Sequence, residues 1–344
     1  MTPTAVTRAK RWVMAKRPVG EPTDDCFALE RIELAPLSDG EVLIENHWLS
    51  LDPYMRGRMR DMKSYAEPLQ PGDVITGETA GYVRESRSPR WKPGDAVCVH
   101  RGWQSHVVVR GDDESITPVD LAAAPLPAWL GVVGMPGRTA WFGLQRVGKP
   151  RAGETVVVSA ASGAVGSVVG QLGKILGLRV VGVAGGAAKC RACIDDLGFD
   201  ACVDYKAGAL AADLAAACPR GVDIYFENVG GAVTRAVAPR LNPGARVPIC
   251  GFVSLYNAEG DLQSLETPFS VFAALDPPPE HRFFLVGEWR AEWMDASRQL
   301  AEHIRAGRIR YRETISEGLE SAPAAFRGLL RGENLGKQLV RIVR

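Results

Sequence analysis

From about residue 136, short apolar runs alternate with stretches of helical spacing. The first run, Thr155-Val156-Val157-Val158-Ser159, is β-branched and short, so it predicts a strand. Small residues follow, and then Val168, Val169, Leu172, Ile175 and Leu176 recur at the spacing of one helix face. A second strand is predicted at Arg179-Val180-Val181-Gly182-Val183-Ala184. Further strands are predicted at Ala201-Cys202-Val203-Asp204-Tyr205, Val222-Asp223-Ile224-Tyr225-Phe226, Arg246-Val247-Pro248-Ile249-Cys250 and Arg282-Phe283-Phe284-Leu285-Val286. Strands and helices in this alternation predict an α/β fold with a doubly wound parallel sheet.

The part before residue 130 has a different rhythm. Val42-Leu43-Ile44, Val74-Ile75, Ala96-Val97-Cys98-Val99 and His106-Val107-Val108-Val109 are short strand-like runs. Pro71-Gly72-Asp73 and Pro93-Gly94-Asp95 are turn signals between them. This predicts a compact β-rich domain built as a partly open barrel. Residues 258–280 show little regular pattern and end near Pro277-Pro278-Pro279, which suggests a lid or a subunit-contact loop. Residues 292–307 read as a helix, and the tail ends in the strand Gln338-Leu339-Val340-Arg341-Ile342-Val343. The expected division is residues 1–135 with 308–344 in one domain and 136–307 in the other.

Composition excludes more than it identifies. A chain of 344 residues can bury two cores. Lys and Arg total 41 against 40 Asp and Glu, so neither a nucleic-acid stripe nor an acidic tail is present. No apolar run is long enough to span a bilayer. The basic N-terminal residues Arg8, Lys10, Arg11, Lys16 and Arg17 flank no signal-peptide core, so a cytoplasmic location is expected. Seven scattered cysteines fit reduced thiols. Cys190 and Cys193 are the one close pair, and they read as a partly buried helix face rather than a zinc or redox site.

The candidate chemistry begins after the first strand of the α/β part. Ala161-x-Gly163-x-x-Gly166 is a variant of the dinucleotide fingerprint G-x-G-x-x-G. The middle glycine lets backbone N–H groups approach a pyrophosphate, and the last lets the helix pack closely on the strand. The helix N-terminus adds unpaired donors and partial positive charge. Gly163, Ala164, Val165 and Gly166 are therefore the expected pyrophosphate contacts. Alanine at the first glycine position predicts a slightly looser turn. An NAD site carries Asp or Glu about twenty residues further on, to hold the ribose 2′-hydroxyl. Here that stretch is Ala184-Gly185-Gly186-Ala187-Ala188-Lys189. The glycines leave room for a 2′-phosphate and Lys189 can neutralise it, which points to NADPH. The plainer reading of Lys189 is a solvated lysine near a helix start.

A series of segments carries a family resemblance. These are Ser50-Leu51-Asp52-Pro53-Tyr54-Met55-Arg56-Gly57-Arg58-Met59, Gly134-Met135-Pro136-Gly137-Arg138-Thr139-Ala140-Trp141-Phe142-Gly143-Leu144 and residues 160–170. Glu227-Asn228-Val229-Gly230-Gly231, Ile249-Cys250-Gly251, Ser254-Leu255-Tyr256-Asn257 and Gly332-Glu333-Asn334-Leu335-Gly336-Lys337 complete it. In this order they resemble the zinc-independent medium-chain dehydrogenase/reductases, and among them the NADPH-dependent alkenal/one oxidoreductase branch that includes prostaglandin reductase. The resemblance implies a GroES-like β-rich catalytic domain, a Rossmann domain, a cofactor cleft between them, and a homodimer. Zinc-dependent members carry a Gly-His-Glu stretch and a four-cysteine lobe. Here the matching stretch is Thr76-Gly77-Glu78-Thr79-Ala80-Gly81, and the first domain holds only Cys26 and Cys98, so a tetrahedral zinc site lacks its ligands.

Without a metal, the acceptor must take hydride unaided, and a C=C bond conjugated to a carbonyl does so. Hydride goes to the β-carbon, charge collects on the carbonyl oxygen, and a proton reaches the α-carbon. The resemblance implies Tyr256 as the group bonding the carbonyl and Tyr54 as a second donor, with bound water as another proton source. Either tyrosine is otherwise an amphipathic residue at a domain seam. The resemblance further implies Lys189 and Tyr205 at the 2′-phosphate end and Asn228 at a ribose or phosphate. Cys250, Gly251, Phe252, Val253, Ser254, Leu255 and Tyr256 would line the nicotinamide half, with Phe284, Leu285 and Val286 contributing backbone contacts. Thr139 would sit near the carboxamide, and Asn334 would close the site. Asn228 and Asn334 flank glycines, where turn chemistry alone favours asparagine. Trp141 stands where the branch often has tyrosine, Gly287-Glu288 replaces a bulkier pair, and residues 258–281 match poorly. These departures bear on the substrate. Quinone reduction is a second enzyme reading, and a non-catalytic NADPH sensor or scaffold is a reading of another class.

Overall fold

The computed structural model describes residues 7–62, 66–259 and 264–343. The chain divides into two compact units. Met1–Leu130, Glu313–Glu333 and Gln338–Arg344 form the first, and Gly131–Arg312 with Asn334–Lys337 forms the second.

The first seven strands are β1 (Thr7–Met14), β2 (Phe27–Leu34), β3 (Glu41–Ser50), β4 (Thr79–Ser86), β5 (Ala96–Val99), β6 (His106–Arg110) and β7 (Ile116–Pro118). The next six are β8 (Thr155–Ser159), β9 (Arg179–Ala184), β10 (Ala201–Asp204), β11 (Val222–Phe226), β12 (Leu241–Ile249) and β13 (Glu280–Phe283). The chain ends with β14 (Glu313–Glu317) and β15 (Lys337–Arg341).

In the first unit, β1 and β2 pair antiparallel, from Thr7 opposite Leu34 to Met14 opposite Phe27. A seven-stranded sheet runs β14-β15-β3-β4-β5-β7, with β6 also paired to β3. Its apolar positions feed two clusters. Val42, Ile44, Val83, Val97, Val99 and Val107 make one. Met14, Leu49, Leu51, Met55, Trp103 and Phe326 belong to the other. The two Pro-Gly-Asp turns share one construction. The Asp73 and Asp95 N–H groups donate to Gln70 O and Lys92 O at 2.9 and 3.1 Å. Their carboxylates accept the Gln70 and Lys92 N–H groups at 2.7 Å each. Gly72 and Gly94 sit at φ +94° and +93°, which glycine adopts without strain. Val74-Ile75 does not form the predicted strand. Val74 makes a single bridge to Val13, and the following strand starts only at Thr79. The segment is instead fixed by Ile75, whose N–H donates to Trp12 O at 3.0 Å.

The second unit holds a parallel six-stranded sheet in the order β10-β9-β8-β11-β12-β13. Val157 pairs with Val181 on one side and Tyr225 on the other. The β-branched run therefore forms the middle of the sheet, and all five residues of β8 are buried. The strand order reverses between β8 and β11, which opens a crevice at their C-terminal ends, where ligands bind in such sheets. Helices α1 (Tyr54–Arg58), α2 (Met135–Phe142), α3 (Gly166–Ile175), α4 (Ala187–Arg191), α5 (Leu210–Ala217), α6 (Gly231–Val237), α7 (Pro268–Ala273), α8 (Trp293–Arg305) and α9 (Ala322–Leu330) accompany the strands.

The expectation of an irregular loop at 258–280 is corrected in part. Pro268–Ala273 is helical, with the Thr267 hydroxyl accepting the Ser270 N–H and the Ser270 hydroxyl accepting the Thr267 N–H. This reciprocal cap satisfies the first turn's donors. Residues 260–263 of that segment lie outside the described residues. The last strand of this sheet begins at Glu280, two residues before the predicted start, and ends at Phe283. Among the described residues, no helix is long and apolar enough to cross a membrane.

Candidate active site

The turn between β8 and α3 is closed by the Gly163 N–H donating to Ala160 O at 2.9 Å. Alanine in the first glycine position does not loosen it. The strain falls one residue earlier, on Ala160, which sits at φ +50°. The two glycines of the fingerprint answer different needs. A Cβ on Gly166 would lie 2.4 Å from Ala160 O, so the helix start and strand end are too close for a side chain. A Cβ on Gly163 would meet only Ala160 O, at 3.1 Å, so the surface beside it is open to a ligand. Ala164 and Val165 are half-buried beside it. Asn334–Lys337 reaches the same turn. The Gly336 N–H donates to Ser162 O at 2.9 Å, and the Asn334 amide donates to Gly336 O at 2.7 Å. Asn334 thus shapes the segment that lies on the turn.

One carboxylate fastens the strand ends. Glu227 is fully buried just after β11. It accepts the Ser159 hydroxyl at 3.0 Å, the Val229 N–H at 2.7 Å, the Gly230 N–H at 3.0 Å, and the Thr234 hydroxyl. Its backbone N–H donates to Pro248 O at 2.9 Å, and its carbonyl accepts the Cys250 N–H at 2.8 Å. β8, β11 and β12 are therefore tied at their C-terminal ends through one residue. Asn228 belongs to the same knot, its side-chain amide donating to Ser159 O at 2.7 Å. The structure gives Asn228 a strand-tying role before any contact with a ribose or phosphate.

At the end of β9, the Tyr205 ring lies against Gly185, where a Cβ would stand 2.8 Å from the phenol. Gly186 adopts φ +99° and heads α4, its N–H donating to Asp204 at 2.7 Å. Asp204 also accepts the Lys206 N–H at 2.9 Å, and these backbone bonds hold its pKa below the usual carboxylate value. Lys189 is half-buried. Loss of water, and then the charge of Lys206, push its ammonium pKa down. Two cations of one sign held together make a place for an anion. Lys206 was not singled out in the sequence, because it lies beyond a different strand from Lys189.

Past β12, the backbone crosses the strand ends as Val253 N–H donates to Asn228 O at 3.1 Å and Ser254 N–H to Val229 O at 2.9 Å. The chain then turns so that the half-buried Tyr256 phenol returns over Gly251, 3.1 Å from where a Cβ there would stand. Phe252 and Tyr256 meet edge to face at 6.1 Å, and Leu255 is half-buried beside them. Burial and the Glu227 charge push the Cys250 thiol up to about 12, so it stays protonated. Phe284 is core, packed edge to face on Phe226 at 6.1 Å, while Leu285 is exposed and Val286 half-buried. Thr139, inside α2, bonds back to Met135 O at 2.7 Å.

In the first unit, Tyr54 opens α1, and its phenol oxygen lies 2.9 Å from His100 Nε2. A lone histidine carries no motif, which is why sequence reasoning passed over it. Among the described residues, no group of three or more His, Cys, Asp or Glu side chains is placed to hold a metal ion.

The open face at Gly163, the α3 start and the paired cations fit a dinucleotide bearing a 2′-phosphate. Comparisons agree. A family model described as the N-terminal domain of oxidoreductase matches residues 10–119, and one described as zinc-binding dehydrogenase matches residues 164–275. The chain is 46% identical over 339 residues to the NADPH-dependent curcumin reductase of Escherichia coli (strain K12), covering 97% of each. It is 42% identical over 336 residues to prostaglandin reductase 1 of Oryctolagus cuniculus, covering 96% of this chain and 93% of the relative. The crystal structure of CurA in complex with NADPH from Vibrio vulnificus superposes with a TM-score of 0.91 at 42% identity, covering 97% of this chain and 99% of that one.

The two glycines of the turn should part in a denaturation experiment. Gly166→Ala is expected to lower stability by about 1–3 kcal/mol, because a backbone carbonyl occupies the space. Gly163→Ala should cost less than about 1 kcal/mol. Equal losses would contradict the packing read at Gly166.

Proposed function

Given that this chain belongs to the zinc-independent medium-chain dehydrogenase/reductases, in the NADPH-dependent alkenal/one oxidoreductase branch, we propose that it reduces the C=C bond of α,β-unsaturated ketones or aldehydes. When bound, NADPH supplies the hydride that goes to the β-carbon. The observation that carries the reading is the Tyr256 phenol, held over Gly251 where the chain leaves β12. An O–H donor fixed at a strand end can meet the carbonyl oxygen on which charge collects. The E. coli relative supports the substrate class, since curcumin carries C=C bonds conjugated to carbonyls.

In this reading Gly163, Ala164, Val165 and Gly166 hold the pyrophosphate, and Lys189 and Lys206 hold the 2′-phosphate with Tyr205 beside it. Residues 250–256 line the nicotinamide half, Phe284, Leu285 and Val286 contribute backbone contacts, and Thr139 and Asn334 complete it. Tyr54 is the second donor to the substrate. In this reading the first unit serves the substrate, and the second, which includes Asn334–Lys337, serves the cofactor. A homodimer belongs to the same reading, through the family resemblance. A cytoplasmic location does so through the seven free cysteines.

NADPH oxidation against a panel of enones, enals and quinones, with NADH as control, tests the proposal. Turnover of enones or enals with NADPH is expected. Turnover confined to quinones, or tight NADPH binding with no turnover, would overturn it. Lys189→Ala should weaken NADPH binding about tenfold or more and leave NADH binding unchanged, because a charged hydrogen bond to the phosphate is lost. Tyr256→Phe should lower kcat by about 10²-fold with the NADPH Kd unchanged, as for loss of one donor to a developing oxyanion. A Phe variant with full kcat would remove Tyr256 from the chemistry.

A further inference from the structure

Tyr54 and His100 are brought together across 46 residues of chain, by the fold rather than by local sequence. The start of α1 is fixed by the Met55 N–H donating to Asp52 O at 3.1 Å, and by Met55, which is fully buried. Asp52 in turn accepts the Ser50 hydroxyl. His100 follows β5 directly, and its N–H donates to Ser115 O at 3.3 Å. The phenol oxygen and Nε2 lie 2.9 Å apart, with ring centroids at 6.4 Å and planes inclined by 33°. Unlike the half-buried tyrosine, His100 is exposed, so one partner faces a crowded environment and the other reaches water.

We propose that His100 is a positioning residue and proton conduit for Tyr54, linking the phenol to solvent during C=C reduction. The inference rests on the reading of Tyr54 as a donor to the substrate. The step balances simply. The Tyr54 O–H bond breaks as a C–H bond forms at the substrate α-carbon. The phenolate oxygen takes the proton from His100 Nε2 while Nδ1 takes one from water, so the imidazole ends neutral as its other tautomer. One solvent proton is consumed per hydride delivered, and no oxidant or further reductant is needed.

The surroundings suit a neutral imidazole. His100 is exposed as a residue, but the groups packed around its ring displace part of its water, and this is the largest influence lowering its pKa from the usual imidazole value. The Asp52 carboxylate opposes this, and the Arg58 and Arg101 cations add to it. Arg101 is itself paired with Asp113, and Arg58 donates to Glu67 O at 2.6 Å. At neutral pH the ring can therefore accept at one nitrogen and donate from the other.

Three variants of the full chain test this: Tyr54→Phe, His100→Gln and His100→Ala. Glutamine can keep a hydrogen bond to the phenol but cannot pass a proton through. Each variant is first checked for NADPH binding with the parent Kd, which controls for folding. Both His100 variants are expected to lose about tenfold in kcat, less than the loss of the donor itself. Both should also show a larger solvent deuterium isotope effect, and neither should keep the His100-linked kcat inflection, on the acid side of an ordinary imidazole, that is expected of the parent. If Tyr54→Phe is slow while His100→Gln retains full kcat and the parent pH profile, the conduit is wrong and the Tyr54 reading stands. If Tyr54→Phe itself keeps full kcat, the reading of Tyr54 fails and the conduit falls with it.

Discussion

A single buried carboxylate holds the ends of three strands in register. Glu227 has no exposed surface, yet it accepts two backbone N–H groups and two hydroxyls. Hydrogen bonds to a charged group contribute about 1.5–3 kcal/mol each, whereas a buried charge left without them costs more than that. The arrangement is therefore stable only while Ser159, the Val229 and Gly230 N–H groups and Thr234 all stay in place. These groups belong to the end of β8, the turn after β11 and α6. The main chain of the same residue adds the end of β12, through Pro248 and Cys250.

The candidate chemistry of the second unit hangs on these ends. The β8 end runs into the turn at Gly163, where a Cβ would meet only Ala160 O and which Gly336 bridges. The β12 end runs into Gly251 and the return of the Tyr256 phenol. The corner proposed for the 2′-phosphate lies one strand further out, at the end of β9, where the charge of Lys206 lowers the Lys189 pKa. The burial that surrounds Glu227, together with its charge, also raises the Cys250 thiol pKa.

Much of this was legible because it is local. The β8-turn-α3-β9 unit is announced by a β-branched run, small residues and helical spacing, and each of these acts within a few positions. The parallel sheet follows from their repetition. What could not be read was settled at long range or by unusual chemistry. Glu227 looked like one member of a family motif, because the hydroxyl of Ser159 that it needs lies 68 residues away. The bond of the Asn228 side chain to Ser159 is equally non-local. His100 had no signal at all, since its meaning comes from Tyr54 across the fold. The helix α7 was hidden by Pro268, which reads as a breaker but is tolerated in a first turn, and by a cap that uses Ser270 where Glu or Gln is the common sign. Val74-Ile75 failed as a strand because one bridge to Val13 was all the pairing the fold offered it.

The claim that the Glu227 knot holds the cofactor surface in shape is tested most directly by titration calorimetry of NADPH into Glu227→Gln, with thermal unfolding as the control. Glutamine keeps one acceptor and turns the other into a donor aimed at groups that already donate, a mismatch worth about 1–3 kcal/mol. The expected result is a folded protein of lowered Tm whose NADPH Kd rises about tenfold or more, in line with that energy. A variant that unfolds at the parent Tm and binds NADPH with the parent Kd would contradict the account.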